Sequence, residues 1–343
     1  TQSRSSAASD VYKRQVSREQ MAGCHALRRG PAHAAEGAGM NAIDLFAGIG
    51  GFSAGAEAAG CNVLWAANHW PTAVEWHTVN HPGTVHACQD LQQADFQQAP
   101  AHDILLASPA CQGHSPARGK ERPHHDSLRA TAWAVVTCVE IHRPAFAVIE
   151  NVPEFSKWVL WPAWTAALHS LGYALSPMIL DSADHGVPQN RKRLFVVATR
   201  SKYPIELRLP VRRHISAADC IDFGSGQWAE IERPGRSIRT LERIASGRCR
   251  FGPRFLAPYY GSGSGETGRS IHRPIGTLTT RARWAVVDGD RMRMVRASEG
   301  RKLMGLPTSY NIPMNEATAW HLLGNAVCPP VATDIINAMR IAA

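Results

Sequence analysis

The chain has 343 residues, of which 44% are hydrophobic and 19% charged, and this is the composition of a folded protein rather than of a disordered one. Its formal net charge of +9 favours a polyanionic partner, although a solvated basic surface would give the same charge. No apolar run is long enough to span a bilayer, so a membrane partner is not expected.

The eight cysteines are scattered along the chain, and none stands in a Cys-x-x-Cys pair. Structural zinc sites commonly use such pairs, so no metal is expected. Scattered thiols without a secretory leader are typical of a reducing compartment, and we therefore expect a cytoplasmic protein.

Composition divides the chain into four segments. Residues 1–39 lack apolar periodicity and are expected to be a disordered or non-native leader, with a mitochondrial transit peptide as the alternative. Residues 40–200 alternate between short apolar runs and helical stretches, which predicts one larger domain. Residues 201–273 predict a second, smaller domain, and residues 274–343 a segment that returns to the first.

The predicted elements of the larger domain follow one another as strand and helix. Strands are expected at 41–46, 63–67, 103–107, 145–150 and 194–199. Helices are expected up to residue 59, at 71–80 and at 128–141. Strands that alternate with helices in this way form a mostly parallel, doubly wound α/β sheet.

The second domain has a different character. Residues 201–273 are rich in Arg, Gly and Pro and show no long helical period, so we expect an irregular domain. Helices near 297–304 and at 330–341 follow it.

A glycine-rich turn joins the first strand to the first helix in the segment DLFAGIGGF, residues 44–52. Such a turn at the carboxyl end of a sheet lets the backbone approach a nucleotide-like ligand closely, although any tight strand-to-helix turn uses glycine. Asp90 follows another short strand and is placed to accept a hydrogen bond from an adenine amino group, with a solvated loop aspartate as the alternative.

A second motif, SPACQGHS at residues 108–115, follows directly on the strand 103–107. A buried cysteine is usually an inert small apolar residue, as we expect for Cys61, Cys138 and Cys328. Cys111 instead stands in a polar loop at the edge of the sheet, so we predict that it is a nucleophile.

Two further motifs adjoin strands. Glu150 opens the sequence ENVP at the end of a strongly apolar strand, where desolvation can raise its pKa and let it act as an acid; a cap or a salt bridge is the alternative. Arg191 and Arg193 lie in QNRKR, directly before the next strand. They predict a site for a carbonyl oxygen or a phosphate, against the alternative of a solvated basic run.

Taken in order, these motifs resemble those of the DNA cytosine-5 methyltransferase family. They are similar to its cofactor glycine, Pro-Cys-Gln, Glu-Asn-Val and Gln-x-Arg-x-Arg motifs, and two later segments are similar to its C-terminal motifs. The six segments are 44–52, 109–112, 150–152, 189–193, RPIGTLTT at 273–280 and GNAV at 324–327. Six short motifs in family order, spread over residues 41–341, rarely arise by chance.

The resemblance implies a Rossmann-like methyltransferase fold with a target-recognition domain, S-adenosylmethionine as the cofactor and double-stranded DNA as the partner. The reaction that it implies is methyl transfer to C5 of a cytosine flipped out of the duplex, through a covalent adduct with Cys111. It also implies a monomer in the cytoplasm of a bacterial or phage-infected cell, which can be accompanied by a cognate restriction endonuclease.

The resemblance also assigns residues to roles. The catalytic residues are expected to be Cys111, Glu150, Arg191 and Arg193. The cofactor is expected to contact Phe46, Gly48, Ile49, Gly50, His69, Trp70, Asp90, Leu91, Pro109, Asn325 and Val327. DNA is expected to contact Gln112, Ser115, Arg212, Arg213, Arg248 and Arg250.

Two positions depart from the family pattern. Ala110 stands immediately before the nucleophile, where the family has proline, and Pro109 lies one residue earlier. His69 precedes Trp70 at the place where the family has a glutamate that binds the cofactor ribose.

Three rival functions remain open on the sequence. A tRNA cytosine-5 methyltransferase would use the same fold and chemistry, and a catalytically impaired DNA-binding relative would keep the fold. A nicotinamide- or flavin-dependent oxidoreductase would share the glycine turn but would not need Cys111, Glu150 and Arg193.

Overall fold

The computed structural model describes residues 39–110, 129–259 and 268–342. The predicted leader, apart from Gly39, lies outside this part of the chain, and so do the predicted site residues Cys111, Gln112 and Ser115.

A seven-stranded sheet forms the centre of the first lobe in the described residues. Its strands are β1 (Asn41–Leu45), β2 (Asn62–Asn68), β3 (Val85–Cys88), β4 (Ile104–Ala107), β5 (Phe146–Asn151), β6 (Ala174–Asp181) and β7 (Lys192–Thr199). They lie in the order β3-β2-β1-β4-β5-β7-β6, with β7 antiparallel to both neighbours and the other pairs parallel. The predicted doubly wound α/β sheet is confirmed.

Helices accompany both sheets and return to the first lobe at the end of the chain. They are α1 (Gly51–Ala58), α2 (Pro71–Asn80), α3 (Ala132–His142), α4 (Trp161–Ser170), α5 (Ile238–Phe251), α6 (Ala297–Leu303), α7 (Glu316–Asn325) and α8 (Pro329–Ala342). None of these helices has the length and apolar character needed to cross a membrane. Pro71 occupies the first position of α2, and the proline ring holds φ at a helical value. The sequence therefore predicted the start of this helix.

Both faces of the large sheet are buried. Ala42 of β1 packs into the core on one face, whereas Ile43 and Leu45 pack into the core on the other. A strand covered on both sides is apolar throughout rather than alternating, and this is why the central strands read as continuous apolar runs.

The strand order reverses between β1 and β4. The chain moves outward from β1 through β2 to β3 and then places β4 on the other side of β1. The connections therefore leave β1 and β4 in opposite directions, and a crevice opens at the carboxyl ends of these strands. Ligands of doubly wound sheets bind in such a crevice.

The second lobe is more regular than the sequence predicted. Its five-stranded sheet has the order β10-β9-β11-β12-β8, formed by β8 (Ala229–Glu230), β9 (Arg254–Pro258), β10 (Arg269–Ser270), β11 (Trp284–Asp288) and β12 (Arg291–Met294). The 14-residue helix α5 lies on it and is capped by Ser237, whose side chain accepts from the Thr240 amide. The boundary predicted at residue 273 divides this sheet, since β9 lies before that residue and its partner β11 lies after it. No local sequence pattern reveals a pairing between strands so far apart in the chain.

Helix α8 packs closely against α1. A Cβ atom on Gly55 would lie 2.5 Å from the Cβ of Ala332 and 2.6 Å from the carbonyl oxygen of Pro329. Only a glycine lets these backbones approach so closely. The end of the chain is thereby held on the helix that follows β1.

The paired arginines Arg212 and Arg213 have different surroundings. The guanidinium of Arg212 forms an ion pair with Asp334 of α8 and donates to the carbonyl oxygen of His185 at 3.3 Å. Asp334 is only 5% exposed, so its charge needs a partner. Arg213 is exposed.

We expect Arg212→Ala to lower the free energy of unfolding by roughly 1–3 kcal/mol, since it removes a hydrogen-bonded partner from a buried carboxylate. Arg213→Ala is expected to change it by less than about 0.5 kcal/mol, as is usual for an exposed residue. Urea denaturation of both variants measures the difference. Equal losses would show that the pair with Asp334 does not stabilise the fold.

Candidate functional site

The turn after β1 lies in the crevice between β1 and β4. Gly48 (φ 58°) and Gly50 (φ 97°) adopt left-handed backbone, and so does Phe46 (φ 60°) despite its side chain. The Ala47 amide donates to the carbonyl oxygen of Ala67 at 3.1 Å, which fixes the turn to β2. A turn held in this shape lets its backbone approach a ligand closely.

The GNAV segment lies against this turn. A Cβ atom on Gly51 would collide with the carbonyl oxygen of Val327, so a glycine is needed there. Val327 is buried, and Asn325 is exposed at the end of α7. The first and the last motif therefore meet at one place.

Residues that follow β2 and β3 form another wall of the crevice. The Trp70 amide donates to Oδ1 of Asn68 at 3.0 Å, and the indole ring lies edge-on to the ring of His321 with their centroids 4.9 Å apart. Desolvation by neighbouring groups lowers the pKa of His69 although its side chain keeps contact with solvent, and the neighbouring Asp90 carboxylate opposes this shift. The carboxyl ends of the two strands thus bring these side chains together.

The residues predicted to contact a cofactor differ in exposure. Buried ones are Ile49, Gly50, Leu91, Pro109 and Val327, half-buried ones are Phe46, Gly48 and Trp70, and exposed ones are His69, Asp90 and Asn325.

A buried polar network beneath the turn was missed by sequence reasoning. Ser53 Oγ donates to Oδ2 of Asp44 at 2.7 Å and lies 3.1 Å from Nε2 of His77, whose Nδ1 lies 2.8 Å from Nε2 of His86. Burial raises the pKa of Asp44 to about 7, lowers that of His86 to about 4 and lowers that of His77 well below its usual range. Both histidines are therefore neutral at pH 7. Among the described residues no group of His, Cys, Asp and Glu is arranged to hold a metal ion.

The backbone after β4 is held at two points before Cys111. The Ala110 amide donates to Oγ1 of Thr131 at 3.1 Å, and the Pro109 carbonyl oxygen accepts from Nδ2 of Asn151 at 3.1 Å. A proline in place of Ala110 has no N–H and could not make the first of these bonds. The departure from the family pattern is thus accompanied by a hydrogen bond that the family residue cannot form.

Glu150 lies at the end of β5 beside Arg193. Its Oε1 is 3.1 Å from Nε of Arg193, and Glu150 is 7% exposed. Burial raises the pKa of Glu150, and the charges of Arg193 and Arg191 oppose this shift. A buried carboxyl group next to a guanidinium can hold or deliver a proton at the edge of the crevice.

Arg191 has a different environment, although it belongs to the same QNRKR run. Its guanidinium donates to the carbonyl oxygens of Leu278 at 3.0 Å, Gly324 at 2.9 Å and Ala326 at 3.1 Å. Arg191 is 3% exposed. It therefore fastens both C-terminal motifs to the start of β7.

Comparison with known proteins places the chain in a family. The family model described as C-5 cytosine-specific DNA methylase matches residues 40–222 and 228–340. The chain belongs to this family of methylases. It is a DNA cytosine-5 methyltransferase, and its reaction is methylation of cytosine in DNA.

The methylase resembles bacterial relatives over most of its length. It is 28% identical over 319 residues to the Type II methyltransferase M.NlaX of Neisseria lactamica, covering 88% of this chain and 96% of that one. It is 25% identical over 309 residues to the Type II methyltransferase M.HhaI of Haemophilus parahaemolyticus, covering 84% and 90%. Among solved structures, a putative DNA modification methyltransferase encoded within an E. coli prophage has a TM-score of 0.66 at 19% identity, covering 88% and 99%. That likeness shows a shared fold.

The arginines predicted to bind DNA are not equally available in the methylase. Arg212 is engaged by α8, and Arg248 donates to Oδ1 of Asp290 at 2.8 Å. Arg213 and Arg250 are exposed. Within the part of the chain that the structure describes, the last two have no ion pair to lose on contact with a polyanion.

We expect Arg191→Lys to lower the free energy of unfolding by about 1–3 kcal/mol, because one ammonium group cannot replace a planar guanidinium that serves three buried carbonyls. Urea denaturation measures the loss. Arg193→Lys is the matched control and is expected to lose less, since it keeps its charge beside the Glu150 carboxyl group. A wild-type stability for Arg191→Lys would contradict the structural role of Arg191.

Proposed function

We propose that the methylase transfers the methyl group of S-adenosylmethionine to C5 of a cytosine flipped out of duplex DNA, through a covalent adduct with Cys111. The observation that carries this proposal is the buried carboxyl group of Glu150, paired with Arg193 at the carboxyl edge of the sheet. The hydrogen bond from Asn151 to Pro109 joins that edge to the backbone that leads to Cys111.

The residues around the crevice support S-adenosylmethionine as the methyl donor. Gly48 leaves its backbone accessible, Trp70 offers an aromatic ring and Asp90 an accepting carboxylate. A neutral His69 can both donate and accept a hydrogen bond, so it can serve a ribose hydroxyl where the family has glutamate. When bound, S-adenosylmethionine supplies an electrophilic methyl group on a sulfonium centre.

The adduct would overcome the low nucleophilicity of cytosine C5. A bond forms between Sγ of the Cys111 thiolate and C6, and the electrons of the C5–C6 double bond become available at C5. Glu150 holds a proton at N3, and Arg193 faces the O2 side of the ring, which together accept the developing charge. C5 takes the methyl group as its bond to the sulfonium sulfur breaks, which leaves a neutral thioether. The C5 proton then leaves to solvent, the C5–C6 double bond forms again, the Cys111 thiolate is expelled and N3 returns its proton to Glu150.

The pKa of Glu150 suits this role. Burial raises it, so the carboxyl group keeps its proton at a higher pH than an exposed glutamate does. The charge of Arg193 opposes the shift and stabilises the carboxylate once the proton has been given up. A carboxyl group with these two opposing influences on its pKa can give up a proton and later take one back.

Four of the described cysteines have thiols that are much less suited to act as a nucleophile than an exposed thiol would be. Burial raises the pKa of Cys138 to about 12 and that of Cys220 to about 11, and it also raises those of Cys61 and Cys328. These thiols stay protonated at pH 7, and a thiol is a poor nucleophile.

Duplex DNA must open for this chemistry, because a stacked base cannot enter the crevice. The exposed Arg213 and Arg250 are proposed to contact phosphates, which supply affinity without reading sequence. Gln112 and Ser115 follow the nucleophile in the sequence and are proposed to contact the DNA around the flipped base.

DNA with 5-fluorocytosine in place of cytosine tests the covalent step, because fluorine at C5 cannot leave as a cation. With S-adenosylmethionine present, the wild-type methylase is expected to form an adduct that survives denaturing gel electrophoresis. Cys111→Ala is expected to form no adduct and to lose turnover by several orders of magnitude, on the order of 10⁴-fold or more. Fully substituted DNA makes the result independent of the recognised sequence.

Cys61→Ala and Cys138→Ala are the matched controls and are expected to keep both adduct and turnover. An adduct that persists in Cys111→Ala would place the nucleophile on another residue. Methyl transfer from labelled S-adenosylmethionine to duplex DNA and to tRNA, measured side by side, tests the substrate; transfer to tRNA alone would overturn the assignment to DNA.

The hydrogen bond between Ala110 and Thr131 predicts a second kinetic result. Thr131→Val removes the acceptor and is expected to lower kcat about fivefold, the equivalent of one hydrogen bond, through looser placement of Cys111. Ala110→Pro needs no acceptor, so adding it to Thr131→Val is expected to restore kcat to within about twofold of wild type. Steady-state kinetics on the single and double variants measure the coupling. Losses that simply add in the double variant would show that the bond does not position the loop.

A further inference from the structure

Two buried side chains contact the glycine turn. The Tyr310 hydroxyl donates to the carbonyl oxygen of Ile49 at 2.7 Å, and Nε2 of His81 lies 2.8 Å from the same hydroxyl. Nδ1 of His81 lies 2.8 Å from Oε1 of Glu57. Tyr310 is 6% exposed and His81 is 3% exposed, so water does not compete for the bond between these two side chains.

The number of protons on each group determines which atom donates in each of these hydrogen bonds. The hydroxyl of Tyr310 has one proton and gives it to the Ile49 carbonyl, which can only accept, so His81 must donate to the hydroxyl from Nε2. Nδ1 of His81 lies against the half-exposed carboxylate of Glu57. His81 is therefore held between Glu57 and Tyr310, and the Ile49 carbonyl is the last acceptor.

The turn rests directly on this pair. A Cβ atom on Gly50 would lie 2.5 Å from Nε2 of His81 and 2.5 Å from the hydroxyl oxygen of Tyr310. No side chain fits between them, and this is a second reason, besides its φ of 97°, why residue 50 is glycine.

The same pair links the turn to another wall of the crevice. His81 directly follows α2, whose other end begins after Trp70, and Glu57 lies on α1. Tyr310 comes from the segment between α6 and α7. Three separate parts of the chain are thus joined at the carbonyl of Ile49.

We propose that His81 and Tyr310 are positioning residues for the methyl donor, because they set the orientation of the peptide between Ile49 and Gly50. This inference rests on the proposed function, in which S-adenosylmethionine binds along that turn. Neither residue lies in the six family-like motifs, and neither touches the reacting atoms. Their effect is therefore on binding of the donor and not on the chemical step.

Tyr310→Phe removes one hydroxyl and tests this role. Isothermal titration of the full-length methylase with S-adenosylmethionine is expected to give a Kd about fivefold above wild type, the loss of one hydrogen bond. KM for S-adenosylmethionine is expected to rise in step, while kcat at saturating donor and KM for DNA stay within about twofold of wild type.

Tyr173→Phe is the matched control. Its buried hydroxyl also donates to a backbone carbonyl, that of Pro144 at 2.6 Å, but at the far end of the sheet. It is expected to lower Tm about as much as Tyr310→Phe and to leave the Kd for S-adenosylmethionine unchanged. Equal donor affinity in the two variants would overturn the positioning role.

A double-mutant cycle tests whether the pair acts as one unit. His81→Phe is expected to weaken donor binding, and adding Tyr310→Phe is expected to weaken it by less than Tyr310→Phe does alone. Losses of donor affinity that are fully additive would show that His81 and Tyr310 do not act as one unit. A wild-type methylase that binds no S-adenosylmethionine would instead overturn the proposed function on which the inference rests, so the two failures are distinguishable.

Discussion

The site depends on a backbone contact between the beginning and the end of the chain. Gly51 meets the carbonyl of Val327, and Gly55 meets Pro329 and Ala332, in each case with no side chain between. Such contacts fix two segments at a set distance, which packed side chains with several rotamers do not. Arg191 reinforces this closure by binding carbonyls of the same C-terminal segment. The crevice is therefore completed only when the last helices have returned, and long-range contacts of this kind form slowly because loop closure costs entropy first.

Two buried ion pairs, those of Glu299 and Glu150, differ in how many hydrogen-bond partners the fold gives to the carboxylate. Glu299 pairs with Arg293 at 2.6 Å and also accepts from the backbone amides of Asp222 and Arg296, so its oxygens are satisfied by the fold. Within the described residues, the partner found for the Glu150 carboxyl group is the Arg193 side chain. Buried pairs contribute little net stability, since desolvation offsets attraction. The Glu150 carboxyl group is therefore left available for the proton-holding role proposed for it.

The sequence predicted the helices and strands that are marked by nearby residues. It did not predict those whose formation depends on residues far away in the chain. The helix over 71–80 was found because Pro71 marks its start, and the central strands because both their faces are buried. Strand β6 was missed because Pro177 interrupts it, which an edge strand tolerates. Helix α5 was missed because its arginines made the stretch resemble a loop, although Ser237 provides a cap. The histidine network beneath the turn joins residues from separate elements, and no spacing along the chain reveals it.

The arginines that give the chain its positive charge fall into two groups, those with partners inside the protein and those that are exposed. A net charge of +9 suggests that the arginines face a polyanion, yet Arg191, Arg212 and Arg293 bind carbonyls or carboxylates of the chain itself. An arginine paired with an internal carboxylate contributes little field beyond about 10 Å at ordinary ionic strength. Phosphate affinity is then expected to depend on arginines that have no such carboxylate partner among the described residues, as Arg213 and Arg250 do, and not on the number of arginines in a segment. The paired arginines instead stabilise the fold, as Arg191 does by binding carbonyls of both C-terminal motifs.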